Sequence, residues 1–182
     1  MEQMISDPFL KKLIDITSQD PSHCYQCGKC SAGCPIRDYL DTPPNRVIRF
    51  VQLGLYDRAL NSPSIWMCAG CLTCTSRCPN NFDLAKFMDA LRQIAIQDKI
   101  KPSDKRVYKF HKAFMKQLKN HGRSYELGLI RDYKLSTGDF FQDIDAAPSA
   151  FIKGKISIKP HNIKGKEKLK EIINKASEPV SP

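Results

Sequence analysis

The sequence predicts a mainly helical fold, and three observations predict it. Apolar residues recur at helical spacing in five stretches, and Asp or Pro stands where several of these stretches begin. Strand signals are few, the best being the short Ile156–Ile158. Two tight loops lie between the helical stretches, CYQCGKCSAGCP at 24–35 and CAGCLTCTSRCP at 68–79, and they hold all 8 cysteines of the chain.

Asp7-Pro8 places a capping carboxylate before a proline in the first turn of a helix. Phe9, Leu10, Leu13 and Ile14 then make an apolar face over two turns. The first cysteine loop follows Pro21, and its Gly28, Ser31, Ala32 and Gly33 suit a chain folded tightly around something. Thr42-Pro43-Pro44 opens a second helix with Val47, Ile48, Val51 and Leu55 at helical spacing, ending within 54–60. After the second loop, Asn80-Asn81 is expected to cap a third helix, with Asp83 in its first turn matching the helix dipole. Its core face is Leu84, Phe87, Met88, Leu91 and Ile94. A cysteine loop followed by a helix thus occurs twice, with 33 residues between Cys34 and Cys68.

Residues 104–119 read as a further helix, with Tyr108, His111, Phe114 (or Met115) and Leu118 toward the core. From about 136 the chain is expected to turn irregular, apart from a short basic helix at 166–176 carrying Leu169, Ile172 and Ile173. The expected organisation is a helical domain over 1–98 and a helical, basic, loosely structured extension over 99–182.

The composition, 41% hydrophobic and 26% charged over 182 residues, is that of a soluble globular chain with a modest core. No apolar run nears the roughly 18 residues of a membrane span. MEQMISDPFLKK has neither the basic start nor the apolar stretch of a secretory signal, so a cytoplasmic location is expected. The net charge of +10 is one-sided: residues 1–98 hold 10 Lys+Arg against 10 Asp+Glu, and residues 99–182 hold 19 against 9. The lysines of the basic half are spread out, which favours a solvated surface or docking to an acidic partner over nucleic acid.

Both cysteine loops read C-x2-C-x2-C-x3-C-P. A disulfide framework would spread cysteines through a small secreted domain rather than cluster them. A single zinc takes two C-x2-C knuckles at the corners of a tetrahedron, and it cannot readily use three thiolates this close plus a fourth. A cubane can, because its irons occupy separate corners and a chain wrapping it presents a thiolate at every third residue. The run is that of bacterial two-cluster ferredoxins, in which the fourth cysteine ligates the other cluster. On that rule Cys24, Cys27, Cys30 and Cys78 hold one [4Fe–4S] cluster, and Cys34, Cys68, Cys71 and Cys74 hold the second. Pro35 and Pro79, lacking an N–H, turn the chain away after each donated cysteine. Lys29 and Arg77 either raise the cluster potentials or point to solvent. Tyr25 and Trp66 are expected to shield the clusters from water, and His23 and His121 are read as bystanders. No nucleotide loop, paired carboxylates or Ser/His/Asp set is recognisable, and no catalytic residue is expected in this chain.

The two motifs resemble a helical-type ferredoxin domain, known from succinate dehydrogenase, glycolate oxidase and heterodisulfide reductase. PPNRVIRFVQLGLYDRAL at 43–60 and Trp66-Met67-Cys68 resemble the C subunit of CoB–CoM heterodisulfide reductase. GRSYELGLIRDYKL at 122–135 and IKPHNIKGKEKLKEI at 158–172 fit the same family more weakly. No cysteines remain for a plant-type [2Fe–2S] domain, and the Cys-Cys-Gly repeats of glycolate-oxidase-type proteins are absent. The resemblance implies a non-catalytic electron-transfer subunit in methanogenesis. It would pass electrons from a bifurcating, flavin-containing A subunit to the B subunit, which carries Cys-Cys-Gly repeats and reduces the coenzyme M–coenzyme B heterodisulfide. A hydrogenase or formate dehydrogenase module would feed the A subunit. The alternatives are a homologous complex outside methanogens and a free dicluster ferredoxin, although the latter are usually shorter and acidic.

Overall fold

The structure, a computed structural model, describes residues 7–139 and 159–176. It divides into two compact units, Met1–Asp104 and Lys105–Pro182. Every regular element among the described residues is helical, and Ile156–Ile158 lies outside those residues.

In the first unit, α1 (Pro8–Thr17) begins as its sequence dictates. Asp7 Oδ1 accepts from the Phe9 amide at 2.9 Å and from the Leu10 amide at 3.3 Å, a cap worth about 1 kcal/mol. Burial pushes the Asp7 carboxyl up, but the Tyr56 hydroxyl and these two amides outweigh it and hold it below the usual range. Tyr56 donates to Asp7 Oδ2 at 2.8 Å and stacks on Phe9 with ring centroids 4.2 Å apart. Burial, then the Asp7 carboxylate, raise the Tyr56 hydroxyl to about 12. The start of α1 is thereby tied to the middle of the unit.

A turn at Pro21–His23 leads to α2 (Lys29–Ala32) within the first cysteine loop, and another turn at Arg37–Tyr39 leads on to α3 (Pro44–Gln52). Val47, Ile48 and Val51 are buried as expected, but Leu55 is 39% exposed. The second helix does not run on to residue 60. Gly54, at φ 71°, breaks it, and α4 (Tyr56–Leu60) and α5 (Pro63–Met67) follow as separate short helices. Asp41 fixes the start of α5 by accepting from the Ser64 hydroxyl at 2.6 Å and the Ser64 amide at 3.1 Å.

The second loop contains α6 (Thr73–Ser76), and α7 (Leu84–Gln97) is the central helix, packing against α1, α4, α5 and α6. Phe87, Leu91 and Ile94 are fully buried and Leu84 and Met88 nearly so. Each contributes about 1.5–3 kcal/mol. Its cap is not Asn80-Asn81. Asn81 sits in the left-handed region at φ 52°, and Asp83 is the N-cap, its side chain accepting from the Lys86 amide at 3.1 Å.

The second unit packs α8 (Lys105–His121) against both α9 (Glu126–Thr137) and α10 (Lys166–Ala176). Among its described residues, Ala113, Gln117 and Gly128 are the buried ones. Tyr108, His111, Phe114 and Leu118 are half-buried, while Met115 is exposed. The helix expected at 166–176 is present, with Ile172 55% exposed. The helix α9 lies within the extension expected to be helical, in a stretch where no individual helix was marked by its spacing.

Candidate iron–sulfur centres

The repeat seen in the cysteine spacing extends to the backbone. Gln26 and Gly70 each precede the second cysteine of their loop, with φ of 58° and 62°. Gly28 and Leu72 each follow it, with φ of 76° and 62°, and each is the N-cap of a single helical turn. The two loops place glycine at opposite members of this pair. Gln26 and Leu72 therefore hold a left-handed conformation that costs an L-residue roughly 1–2 kcal/mol, which the wrapping of the loop imposes. The two helical turns, α2 and α6, pack against each other.

This wrapping lines two cavities with sulfur. The first is bounded by Cys24, Cys27, Cys30, Cys74 and Cys78, with Ile48, Phe82 and Leu84 as its apolar wall. The second is bounded by Cys34, Cys68, Cys71 and Cys74, with Leu40, Ala85 and Met88. Cys74 and Leu84 border both, so the cavities adjoin. All eight cysteines are free thiols, and Cys27 and Cys71 are the exposed ones, one for each cavity.

Burial pushes the Cys24, Cys30 and Cys74 thiols up, and nearby thiolates add to this: Cys78 and Cys27 beside Cys24, and Cys68 and Cys30 beside Cys74. Such thiols ionise readily only against a cation, as metal binding supplies. Cys71 goes the other way, held down by the Thr73 hydroxyl and amide. Its thiol donates to Thr73 Oγ1 at 3.4 Å. Among the described residues, no three His, Cys, Asp or Glu side chains converge as a single ion requires. The sulfurs are spread around two spaces rather than gathered at one point.

Other donors touch the sulfurs. The Phe82 amide donates to Cys78 Sγ at 3.3 Å, and Gln26 Nε2 lies 3.5 Å from Cys24 Sγ. Arg77 lies directly over Gly33, where a Cβ would come within 2.5 Å of its guanidinium. Tyr25 lines the first cavity and is 72% exposed, so it forms the outer rim. Trp66 is 2% exposed and is a core residue of α5. His23 is exposed, its carbonyl accepting from Asn80 Nδ2, and His121 Nδ1 pairs with Asn162 Oδ1 at 2.9 Å in the second unit. The eight cysteines singled out in the sequence all border these two cavities. Gln26, which touches Cys24, was not singled out, and Gly70 at the matching position of the repeat was the available signal.

Residues 20–82, which contain all eight cysteines, match the family described as a 4Fe-4S dicluster domain. Their thiols fit two [4Fe–4S] clusters. The chain is similar to the iron-sulfur C subunit of CoB–CoM heterodisulfide reductase from Methanopyrus kandleri, 38% identical over 72 residues, 40% of this chain and 38% of the relative. The C 2 subunit of the same enzyme from Methanocaldococcus jannaschii is 42% identical over 74 residues, 41% of this chain and 39% of the relative. An Archaeoglobus profundus protein, named for its likeness to the heterodisulfide reductase C subunit, is 32% identical over 77 residues, 42% of this chain and 41% of the relative. The chain thus spans about two fifths of the length of each of these relatives. No helix among the described residues is long and apolar enough to cross a membrane.

Proposed function

We propose that this chain is the electron-transfer subunit of a heterodisulfide reductase complex. It takes electrons from a flavin-containing A subunit, itself served by a hydrogenase or formate dehydrogenase module. It delivers them to the B subunit, where the coenzyme M–coenzyme B heterodisulfide is reduced. The observation that carries this is the pair of adjoining thiol-lined cavities in a dicluster domain.

The ligands divide in crossed fashion: Cys24, Cys27, Cys30 and Cys78 for one cluster, and Cys34, Cys68, Cys71 and Cys74 for the other. In support, Cys78 borders the first cavity with the three cysteines of the first run, and Cys34 borders the second with those of the second run. Cys74 borders both and is assigned by its place in the second run. When bound, the clusters supply one-electron storage and transfer. The chain's own residues hold them, keep them dry with Ile48, Phe82, Leu84 and Met88, and bring one exposed cysteine of each to the surface. The basic second unit serves docking to the partner proteins, and the exposed Ile172 and Leu135 on its helices support that role.

Anaerobic purification from the native source tests the assembly. The expected preparation contains an iron-sulfur flavoprotein and a protein with Cys-Cys-Gly repeats, and this chain, separated from them anaerobically, carries about eight irons and eight labile sulfides. Recovery of the chain alone, or with stoichiometric zinc and no labile sulfide, contradicts it.

A further inference from the structure

The two cysteine loops share a backbone but not their side-chain surroundings. Gln26 corresponds to Gly70, and the first site therefore has an amide side chain where the second has none. Gln26 Nε2 reaches Cys24 Sγ at 3.5 Å and Gln52 Oε1 at 3.3 Å, while its Oε1 accepts from Asn45 Nδ2 at 3.4 Å. Both partners are themselves fixed. Gln52 Nε2 donates to the carbonyls of Pro21 and Cys24 at 2.8 and 3.1 Å, and Asn45 Oδ1 accepts from the Ser31 hydroxyl at 2.5 Å. Gln26 is thus held with its amide N–H toward sulfur by two residues of α3.

A hydrogen bond donated to a ligand sulfur stabilises the more negative, reduced cluster and raises its potential. The first site collects two such donors, Gln26 on Cys24 and the Phe82 amide on Cys78. At the second, the Thr73 and Thr75 amides lie beside Cys71 and Cys74. The Thr75 hydroxyl, however, donates to Asp83 at 2.8 Å, and the Thr73 hydroxyl has to turn to donate once its sulfur is a thiolate. No side-chain amide is therefore fixed on a sulfur there as Gln26 is. We propose that Gln26, oriented by Asn45 and Gln52, makes the cluster of Cys24, Cys27 and Cys30 the more easily reduced of the two. The chain then has a built-in direction, with electrons entering on the Cys71 side and resting on the Cys27 side. This deepens the two-cluster reading and rests on it.

An EPR-monitored redox titration of full-length, reconstituted Gln26→Gly tests it. Glycine adopts φ 58° at least as readily as glutamine, so the change deletes the amide without straining the loop. The higher-potential of the two reduction steps is expected to become about three- to tenfold less favourable, and the lower step to stay in place. The upper figure equals about 59 mV for one electron. Asn45→Ala, which frees Gln26 without removing it, shifts the same step the same way by less. Two unmoved steps, equal movement of both, or movement of the lower step alone overturns the assignment. A parent protein with a single cluster by iron and sulfide analysis would instead sink the two-cluster reading, and Gln26's role with it.

Discussion

At Asp132 two cations and an amide meet a carboxylate whose side chain is 8% exposed. Lys116 Nζ lies 2.9 Å from Oδ2, Arg131 lies 3.1 Å from Oδ1, and Gln117 Nε2 donates to Oδ2 at 2.9 Å. The Lys116 ammonium is the first cause holding this carboxyl below its ordinary 3.8; burial opposes it and Arg131 assists. A carboxyl depressed in the folded state binds fewer protons there than in the unfolded chain. Its stabilisation is therefore complete above pH 3.8 and is lost as the pH falls through the depressed value. Asp132→Asn should speed amide hydrogen exchange of α9 at pH 7, by an amount equivalent to about 1–3 kcal/mol. The difference from the parent should close as the pH drops below 3.8, because a protonated Asp132 resembles the asparagine. A difference that does not change with pH contradicts the ion-pair account.

At the scale of elements, the two cysteine loops are proposed to exchange their fourth ligands. Cys34→Ala should damage the cluster held by Cys68, Cys71 and Cys74 and leave the one nearest in sequence more intact. EPR of the reduced variant reads which signal is lost, and loss of the Cys24 cluster's signal instead would indicate ligation within each loop. Crossed ligation ties segments more than 40 positions apart, so the variant should also be less stable. The cysteine runs made the eight thiols and their fit to two clusters legible in the sequence, because thiol spacing and a following proline leave little freedom. The helices with one-sided apolar faces, α1, α3, α7 and α8, were legible for the same kind of reason. The helix α9 was not. Its apolar residues Leu127, Leu129, Ile130 and Leu135 do not share one face, because Leu129 points away from the other three, and Gly128 stands in its first turn. That glycine is required because a Cβ there would come within 2.5 Å of the Tyr125 ring and 2.6 Å of Gln117 Oε1. Close helix packing, invisible to periodicity, decided the residue. The hydrogen bonds of Gln26 were hidden likewise, since Asn45 and Gln52 lie 19 and 26 positions away.

At the scale of the whole molecule, the chain combines a nearly neutral unit that holds the sulfur sites, 12 Lys+Arg against 11 Asp+Glu over 1–104, with a basic unit that carries most of the surplus charge. On the proposed division of the eight cysteines, four to each cluster, no iron would be open to a substrate sulfur and no cysteine would be spare for a mixed disulfide. Disulfide reduction needs two electrons at one sulfur–sulfur bond and a site for both thiol halves, which the proposed B subunit would supply. The most direct measurement is turnover by the isolated, reconstituted chain under anaerobic conditions, with a low-potential donor and the coenzyme M–coenzyme B heterodisulfide. The chain should accept electrons, seen as bleaching of its visible absorption, and consume no heterodisulfide until the A and B subunits are added. Heterodisulfide reduction by the chain alone, above the rate of the donor itself, would contradict its role as a conductor.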